Sequence, residues 1–207
     1  MASNGIFSFC HIAKDDIFKV GRSSIGMPHV IVITGLSATG KTETSDYLSK
    51  ELGYQVFGVG SFRDKIAKQR GFASALAYDK VHGPGKLYAE LYPQMISEVE
   101  RLATKGVIVE GVRSIAFLEE IKHRVGKENM EIFNLAIPKS KRLKFFMTRE
   151  GIKSKSVAKR LLARRDMAKI EVGLFEVLKH TKQHALRHDG DLPALFQKVK
   201  SRLGRRP

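Results

Sequence analysis

The sequence predicts an α/β domain built on a doubly wound, five-stranded parallel sheet. Short apolar runs rich in valine and isoleucine alternate along the chain with longer segments of helical character. Strands that alternate with helices form βαβ units, and their right-handed crossovers give a parallel sheet covered on both faces. At 207 residues the chain has room for one such domain.

The individual elements follow from apolar patterning and from capping residues. Helices are expected to end at Gly53 and Gly71, Ser61 is expected to begin one, and Pro138 is expected to end a strand. The predicted strands are residues 29–34, 55–59, 106–110, 131–137 and 185–188. The predicted helices are residues 41–52, 61–70, 73–104 with an interruption at 82–85, 115–123, 140–149, 156–172 with further helix to about 183, and 193–203.

Met27 directly precedes the first predicted strand, so we expect an N-terminal extension at residues 1–27 and one domain at residues 28–207. The single cysteine, Cys10, allows no internal disulfide and fits a reducing compartment. No apolar stretch reaches the roughly 18 residues that a membrane span needs. A cytoplasmic protein without a membrane partner is therefore the expectation.

The clearest motif follows the first strand, where Gly35-Leu-Ser-Ala-Thr-Gly-Lys-Thr42 fits the spacing of a phosphate-binding loop. Glycines let backbone N–H groups curl around phosphates, and the N-terminus of the next helix adds partial positive charge. Lys41 is expected to reach the β- and γ-phosphates of ATP, and the Thr42 hydroxyl to bind Mg²⁺. The predicted ATP-binding residues are Gly35, Ser37, Ala38, Thr39, Gly40, Lys41, Thr42 and Glu43.

Four further segments carry a resemblance to a known family. They are Ser61-Phe-Arg-Asp64, Val107-Ile-Val-Glu-Gly-Val-Arg-Ser114, Ala163-Arg-Arg-Asp166 and His188-Asp-Gly190. With the phosphate loop, they resemble the nucleoside monophosphate kinase group of P-loop kinases, and in particular its dephospho-CoA-kinase-like branch. The resemblance covers residues 30–203 and implies a P-loop fold with a short helical lid and an ATP- and Mg²⁺-dependent transfer of phosphate to a nucleotide-like acceptor.

The resemblance also implies roles for single residues. Arg63 and Arg113 would bind the acceptor, Arg165 would offset charge on the transferring phosphate, and the turn at 188–190 would border the adenine. From the residues alone, an arginine beyond the end of a parallel strand faces the ligand crevice, although a surface salt bridge is an equal alternative for each taken singly.

Two positions depart from the family pattern. Glu110 ends its strand where the family usually places aspartate, so it is expected either to hold magnesium through water or to orient the acceptor. Ser61 stands where dephospho-CoA kinases carry a carboxylate that can act as a base. Asp64 is a weak substitute, since a carboxylate there is more often a first-turn partner of the helix dipole.

The whole chain has a net charge of +16. Its basic residues are concentrated in the second half of the sequence. Glu150 is the single acid between Lys139 and Arg165. Arg149, Lys153, Arg160, Arg164 and Arg165 flank the lid turn at 150–154, and roughly half of these should be solvated bystanders. The remaining excess leaves open a kinase that acts on DNA or RNA, and the phosphate loop alone leaves open a regulatory ATPase.

Overall fold

A computed structural model describes residues 29–204 and contains the predicted sheet. Its strands are all parallel and lie in the order β2-β3-β1-β4-β5, so the predicted five-stranded parallel sheet is confirmed. They are β1 Val30–Thr34, β2 Gln55–Gly58, β3 Val107–Glu110, β4 Met130–Ala136 and β5 Ala185–Arg187. The predicted extension at 1–27 lies outside the described residues, and its boundary stays a prediction.

Helices connect the strands, and their number and order largely match the sequence prediction. They are α1 Lys41–Leu52, α2 Val59–Gln69, α3 Ala75–His82, α4 Lys86–Ala103, α5 Ile115–Val125, α6 Lys139–Glu150, α7 Lys155–Ile170, α8 Leu174–His180 and α9 Leu192–Leu203. Short 3₁₀ turns at Lys127–Asn129 and Lys182–His184 precede β4 and β5.

Alternate residues of β1 enter opposite sides of the core. Val30 and Val32 pack in a cluster with α4 and α5, whereas Ile31 and Ile33 pack in a second cluster with α1 and α9. A strand buried on both faces has no polar side, which is why the run reads as continuously apolar in the sequence. The doubly wound prediction is therefore confirmed.

Several predicted helix boundaries are displaced by one or two residues, and two of these lie near the site. Helix α2 begins at Val59 rather than Ser61, and Ser61 does not cap it, because its hydroxyl donates to the Gly58 carbonyl at 2.9 Å. Helix α7 ends at Ile170, before the predicted 172, and α8 starts separately after Gly173. Gly173 has a φ of 105°, and a Cβ there would lie 2.8 Å from the Arg113 carbonyl oxygen. Close packing against the segment that follows β3 thus requires the break.

Helices α6 and α7 form a hairpin, which we call the α6–α7 hairpin, where the sequence predicted a lid. Its apolar side packs on the phosphate loop through a small cluster of buried residues: Ala38, Leu143, Phe146, Ala158 and Leu162. The hairpin therefore lies over the carboxyl end of β1, next to the predicted site. Among residues 29–204, no helix is both long and apolar enough to cross a membrane.

Candidate functional site

The backbone of the loop between β1 and α1 is tightly curled. Gly35 has a φ of 145°, and a Cβ there would lie 2.6 Å from the Leu135 carbonyl oxygen, so no side chain fits. Ala38 is the one non-glycine residue with positive φ in the described part of the chain, at 57°. Left-handed backbone in a non-glycine residue is strained, and such strain concentrates at ligand sites. The Thr39 hydroxyl braces the curl by donating to the Leu36 carbonyl at 3.0 Å.

Lys41 begins α1 and turns its ammonium back over this loop. The Nζ atom donates to the Leu36 carbonyl at 2.7 Å. Burial lowers the pKa of Lys41 to about 8, an effect that the Glu110 carboxylate opposes and that Arg113 and Arg142 reinforce. A buried cation with cationic neighbours favours an anion beside it, as a bound phosphate would be.

Oxygen ligands suited to Mg²⁺ meet where β3 ends beside α1. The Thr42 hydroxyl donates to one Glu110 carboxylate oxygen at 3.0 Å, and the Ser45 hydroxyl lies 3.4 Å from the other. Hydroxyl and carboxylate oxygens are the hard ligands that magnesium prefers, so this pair fits the ion. Residues 29–204 contain no cluster of three or more His, Cys, Asp or Glu that could hold a metal by itself. A magnesium ion here would take its other ligands from phosphates and water.

A cavity of about 310 Å³, which we call the phosphate cavity, opens over the loop. It brings together residues predicted from separate parts of the sequence, which are Gly35, Ser37, Ala38, Lys41, Thr42, Glu110, Arg113 and Arg165. Arg149 and Lys169 also line it. Of the described residues that line it, Glu110 alone carries a carboxylate, so its surface is strongly cationic.

Lys169 is a residue of the phosphate cavity that the sequence reasoning missed. Its Nζ donates to the Ser37 hydroxyl of the phosphate loop at 2.8 Å. Burial lowers the pKa of Lys169 to about 7, and the nearby Lys41 adds to that effect. Lys169 lies four residues after Arg165 on α7, so the helical repeat could have placed both on one face.

A buried ion pair fixes the same stretch of α7 to the phosphate loop. The Asp166 carboxylate accepts the Ser37 backbone N–H at 3.0 Å and forms an ion pair with Arg142. The Arg142 Nε donates in turn to the Ser37 carbonyl at 2.8 Å. In the sequence, Asp166 stands out only as part of a motif and Arg142 not at all, because their meeting depends on how α6 and α7 pack.

Arg165 and Arg149 both line the phosphate cavity, and both bind the same carboxylate. Two nitrogens of Arg165 donate to the two Glu150 oxygens at 2.8 Å each, and Arg149 donates to one of them at 3.0 Å. Hydrogen bonds from Arg165 lower the pKa of Glu150 below its usual value. Glu150 therefore already orients the Arg165 guanidinium. The role predicted for Arg165, to offset charge on the transferring phosphate, stays a prediction.

A second cavity of about 370 Å³, which we call the acceptor cavity, adjoins the phosphate cavity. Arg113, Arg165 and Lys169 line both of them. Burial, together with the charge of the neighbouring Arg63, lowers the pKa of Arg113 to about 10. The two predicted acceptor arginines thus lie close together, at the edge of one cavity.

Arg63 is almost completely buried, at 2% exposed, and forms an ion pair with Asp79 at 2.6 Å. Asp79 also accepts the Leu87 backbone N–H at 3.1 Å, which ties this pair to the start of α4. Asp64 accepts the Ala75 backbone N–H at 2.7 Å and so stabilises the start of α3. Its predicted place in the first turn of its own helix is wrong, because α2 begins earlier than expected.

A third cavity of about 190 Å³, which we call the nucleobase cavity, lies on the other side of the phosphate loop. The predicted residues Gly40 and Glu43 line it together with Phe145, Thr148, His188 and Leu192. His188 is buried, and its Nε2 lies 3.0 Å from the Thr39 carbonyl. Because a carbonyl only accepts, Nε2 donates, and the 188–190 turn is held against the loop. That this turn borders the adenine stays a prediction.

Comparison with known proteins supports the same architecture. Neither a protein-family model nor a curated protein sequence matches the chain. Among solved structures, a shikimate kinase from Bacteroides thetaiotaomicron matches with a TM-score of 0.54 and 16% identity, over 84% of this chain and 98% of that one. A gluconokinase from Sinorhizobium meliloti matches with a TM-score of 0.52 and 14% identity, over 86% and 93%.

An uncharacterized protein from Eubacterium ventriosum also matches, with a TM-score of 0.56 and 14% identity, over 86% of this chain and 99% of that one. At such identities the likeness concerns the fold. All five strands are parallel, helices cover both faces, and the glycine loop follows the first strand. The chain therefore shares the P-loop α/β fold of the solved shikimate kinase and gluconokinase structures.

Proposed function

We propose that this protein is an ATP-dependent kinase that transfers the γ-phosphate of ATP to a nucleotide-like acceptor. The observation that carries the proposal is that the phosphate cavity and the acceptor cavity adjoin and share three lining cations, Arg113, Arg165 and Lys169. A phosphoryl group that moves between two bound molecules needs positive charge at the place where they meet.

The donor side is supported by the loop and by the cavities on either side of it. Lys41 and the loop amides would bind the triphosphate in the phosphate cavity, and the adenine would enter the nucleobase cavity beside His188. The Thr42 hydroxyl would hold magnesium, with Glu110 holding a water ligand of the ion or orienting the acceptor. Bound magnesium supplies charge neutralisation on the phosphates.

The catalytic contribution of the chain would be mainly electrostatic. Phosphoryl transfer requires little covalent help from a protein, so positioned cations account for most of the rate. Lys41, Arg165 and Lys169 all line the phosphate cavity and would contact the γ-phosphate oxygens. The α6–α7 hairpin, held over the loop by Asp166, would exclude water from the transfer.

The acceptor side is supported by two arginines, the buried Arg63 and the half-buried Arg113. Arg113 lines both cavities, and Arg63 lines the acceptor cavity beside it, so a phosphate bound there would lie near both guanidinium groups. Planar guanidinium groups suit the paired oxygens of a phosphate. A phosphorylated acceptor of nucleotide size is consistent with the dephospho-CoA-kinase-like branch, although Ser61 and Glu110 depart from its pattern.

A coupled assay of ADP release with a panel of mononucleotides and coenzyme precursors tests the proposal. One or more acceptors should stimulate ADP release, and mass spectrometry should detect an acceptor heavier by one phosphate. Lys41→Met should lower turnover by about two to three orders of magnitude, as for other single transition-state stabilisers. ADP release that no acceptor stimulates would contradict the kinase and favour a regulatory ATPase.

A further inference from the structure

The outer side of the α6–α7 hairpin carries an unusual concentration of unpaired positive charge. Within residues 29–204, a set of its exposed lysines and arginines forms no ion pair: Lys139, Lys141, Lys144, Lys153, Lys155, Lys159, Arg160 and Arg164. The two acids of the hairpin, Glu150 and Asp166, are already bound to Arg149, Arg165 and Arg142. The hairpin therefore has no carboxylate left to neutralise this surface.

Helices α4 and α5 show the opposite arrangement on the same molecule. Arg101 binds Glu98, Lys122 binds Glu119, and Arg124 binds both Glu100 and Glu120. Surface cations there are matched by neighbouring acids, as on an ordinary solvated helix. The hairpin thus differs from these two helices, because most of its exposed cations have no acid paired with them within residues 29–204.

Some of these cations surround a groove of about 580 Å³, which we call the hairpin groove. Lys144, Lys153 and Lys155 line it, and Lys159 follows Lys155 by one helical turn. Apolar side chains of Leu143, Met147 and Ile152 also line it. Leu143 is buried, and Met147 and Ile152 are half-buried, so these apolar groups are recessed beneath the charged ones.

We propose that the hairpin groove binds single-stranded nucleic acid, with the lysines on its phosphates and the recessed apolar side chains beneath its bases. Lysine ammonium groups suit phosphates as point charges, and each phosphate contact releases bound counterions. A lipid bilayer fits less well, because a flat surface does not reach apolar groups that are recessed between charged ones. A flexible strand can enter the groove.

The groove also lies close to the proposed site of phosphate transfer. Thr148 lines both the hairpin groove and the nucleobase cavity, and the next residue, Arg149, lines the phosphate cavity. A strand bound in the groove would therefore lie on the same hairpin that packs on the phosphate loop. The binding does not depend on the proposed kinase activity and can be measured separately.

The test is binding of a fluorescent oligothymidylate of about 12 nucleotides to the full chain, followed by anisotropy at increasing salt. With four lysine contacts, the affinity should fall about 50-fold between about 50 and 200 mM salt. In the triple variant Lys144→Gln, Lys153→Gln, Lys155→Gln, the fall over the same range should be only about threefold. Affinity at low salt should be correspondingly weaker.

The matched control is the triple variant Lys80→Gln, Lys105→Gln, Lys127→Gln, at exposed lysines outside the hairpin. This control should keep the affinity and salt dependence of the unaltered protein, and both variants should keep its melting temperature and ATPase rate. The proposal is overturned if the oligonucleotide is not retained at low salt, or if the control loses affinity as much as the groove variant. Retention of phosphatidylserine vesicles without oligonucleotide would also overturn it.

Discussion

Lys169 is a single side chain that lines both the phosphate cavity and the acceptor cavity. Its ammonium contacts the Ser37 hydroxyl in the phosphate loop, and the same residue lines the acceptor cavity. Arg165 and Arg113 also line both cavities, but Arg165 forms a bidentate ion pair with Glu150. Lys169 forms no ion pair in the described part of the chain, so it is the cation most available to a phosphoryl group between the cavities.

Replacing Lys169 with methionine should lower turnover by about two orders of magnitude, because it removes one charge that stabilises the transition state. Since only the protonated amine carries that charge, kcat/KM of the unaltered enzyme should fall as pH rises through about 7, the pKa of Lys169 in the free protein. In Lys169→Arg the fall should move towards pH 8, where Lys41 loses its proton.

Steady-state kinetics of ADP release between pH 6 and 9 measure this change, with those limits chosen roughly one unit beyond the two pKa values. Lys105→Met, at an exposed position, is the control and should leave both rate and profile unaltered. An unchanged pH profile in Lys169→Arg would show that another group causes the fall. It would leave Lys169 with a structural role.

At this scale, local motifs could be predicted from the sequence and tertiary partners could not. Lys41 and Thr42 follow from a spacing of eight residues, because the strand, loop and helix that shape the site are contiguous. Glu110 followed from its position at the end of a strand. Lys169 and Arg142 reach Ser37 across more than a hundred residues of chain, so no local pattern identified them.

Among the elements, α7 depends on a few buried contacts with the phosphate loop. Asp166 bridges the Ser37 N–H and Arg142, and both charged side chains are largely buried, at 15% and 8% exposed. A buried pair of charges contributes little beyond a good apolar contact, but removal of one partner leaves the other uncompensated. The position of α7, and with it Arg165 and Lys169, therefore depends on both partners being present.

Asp166→Asn should lower the free energy of unfolding by about 3 kcal/mol, because Arg142 then remains buried without its counter-charge. It should also weaken ATP binding, since the amide keeps one acceptor for the Ser37 N–H but no longer pairs with Arg142, which holds the Ser37 carbonyl. Urea unfolding and calorimetry measure the two effects. Asp189→Asn, on the exposed 188–190 turn, is a matched control that should change stability little.

The double variant Arg142→Met, Asp166→Leu separates the two effects. It removes both charges, so it should recover part of the stability lost in Asp166→Asn while ATP binding stays weak. If Asp166→Asn were as stable as the unaltered protein, the buried pair would not fix α7, and the argument for the hairpin position would fail.

The elements themselves were largely predictable. Strands and helices followed from periodicity, and Gly53 ends α1 as its position suggested. The start of α2 and the end of α7 were displaced, and a close contact elsewhere decides the end of α7. Gly173 must pass within van der Waals distance of the Arg113 carbonyl, and that requirement is not visible in the sequence of either segment.

The core of the molecule is stabilised by its own apolar contacts. The cations of the site, in contrast, are not balanced by neighbouring carboxylates. Residues of β1 are completely buried between two apolar clusters. At the carboxyl end of the same sheet, the half-buried side chains of Lys41, Arg113 and Lys169 lie around the phosphate cavity, and Glu110 is the one carboxylate among the described residues that line it. Apolar burial thus stabilises a fold that holds an unfavourable cluster of cations for an anionic ligand.

This cluster predicts that the free protein becomes more stable as pH rises from about 7 to about 10. The folded-state pKa values of Lys169 and Lys41 are lowered to about 7 and about 8, below the ordinary value of 10.5. Between these limits the unfolded chain binds more protons than the folded chain, so the free energy of unfolding rises with pH. Below about pH 7 both lysines are charged in both states, and their contribution no longer changes.

Thermal unfolding across that pH range, with and without a non-hydrolysable ATP analogue, tests the prediction. The melting temperature of the free protein should rise with pH, and the double variant Lys41→Met, Lys169→Met should lose most of the rise. The exposed-site double variant Lys80→Met, Lys105→Met should keep it. Bound triphosphate stabilises the charged amines, so it should raise the melting temperature most near pH 7 and flatten the profile. A profile that is the same in both double variants would show that the buried lysines do not govern it.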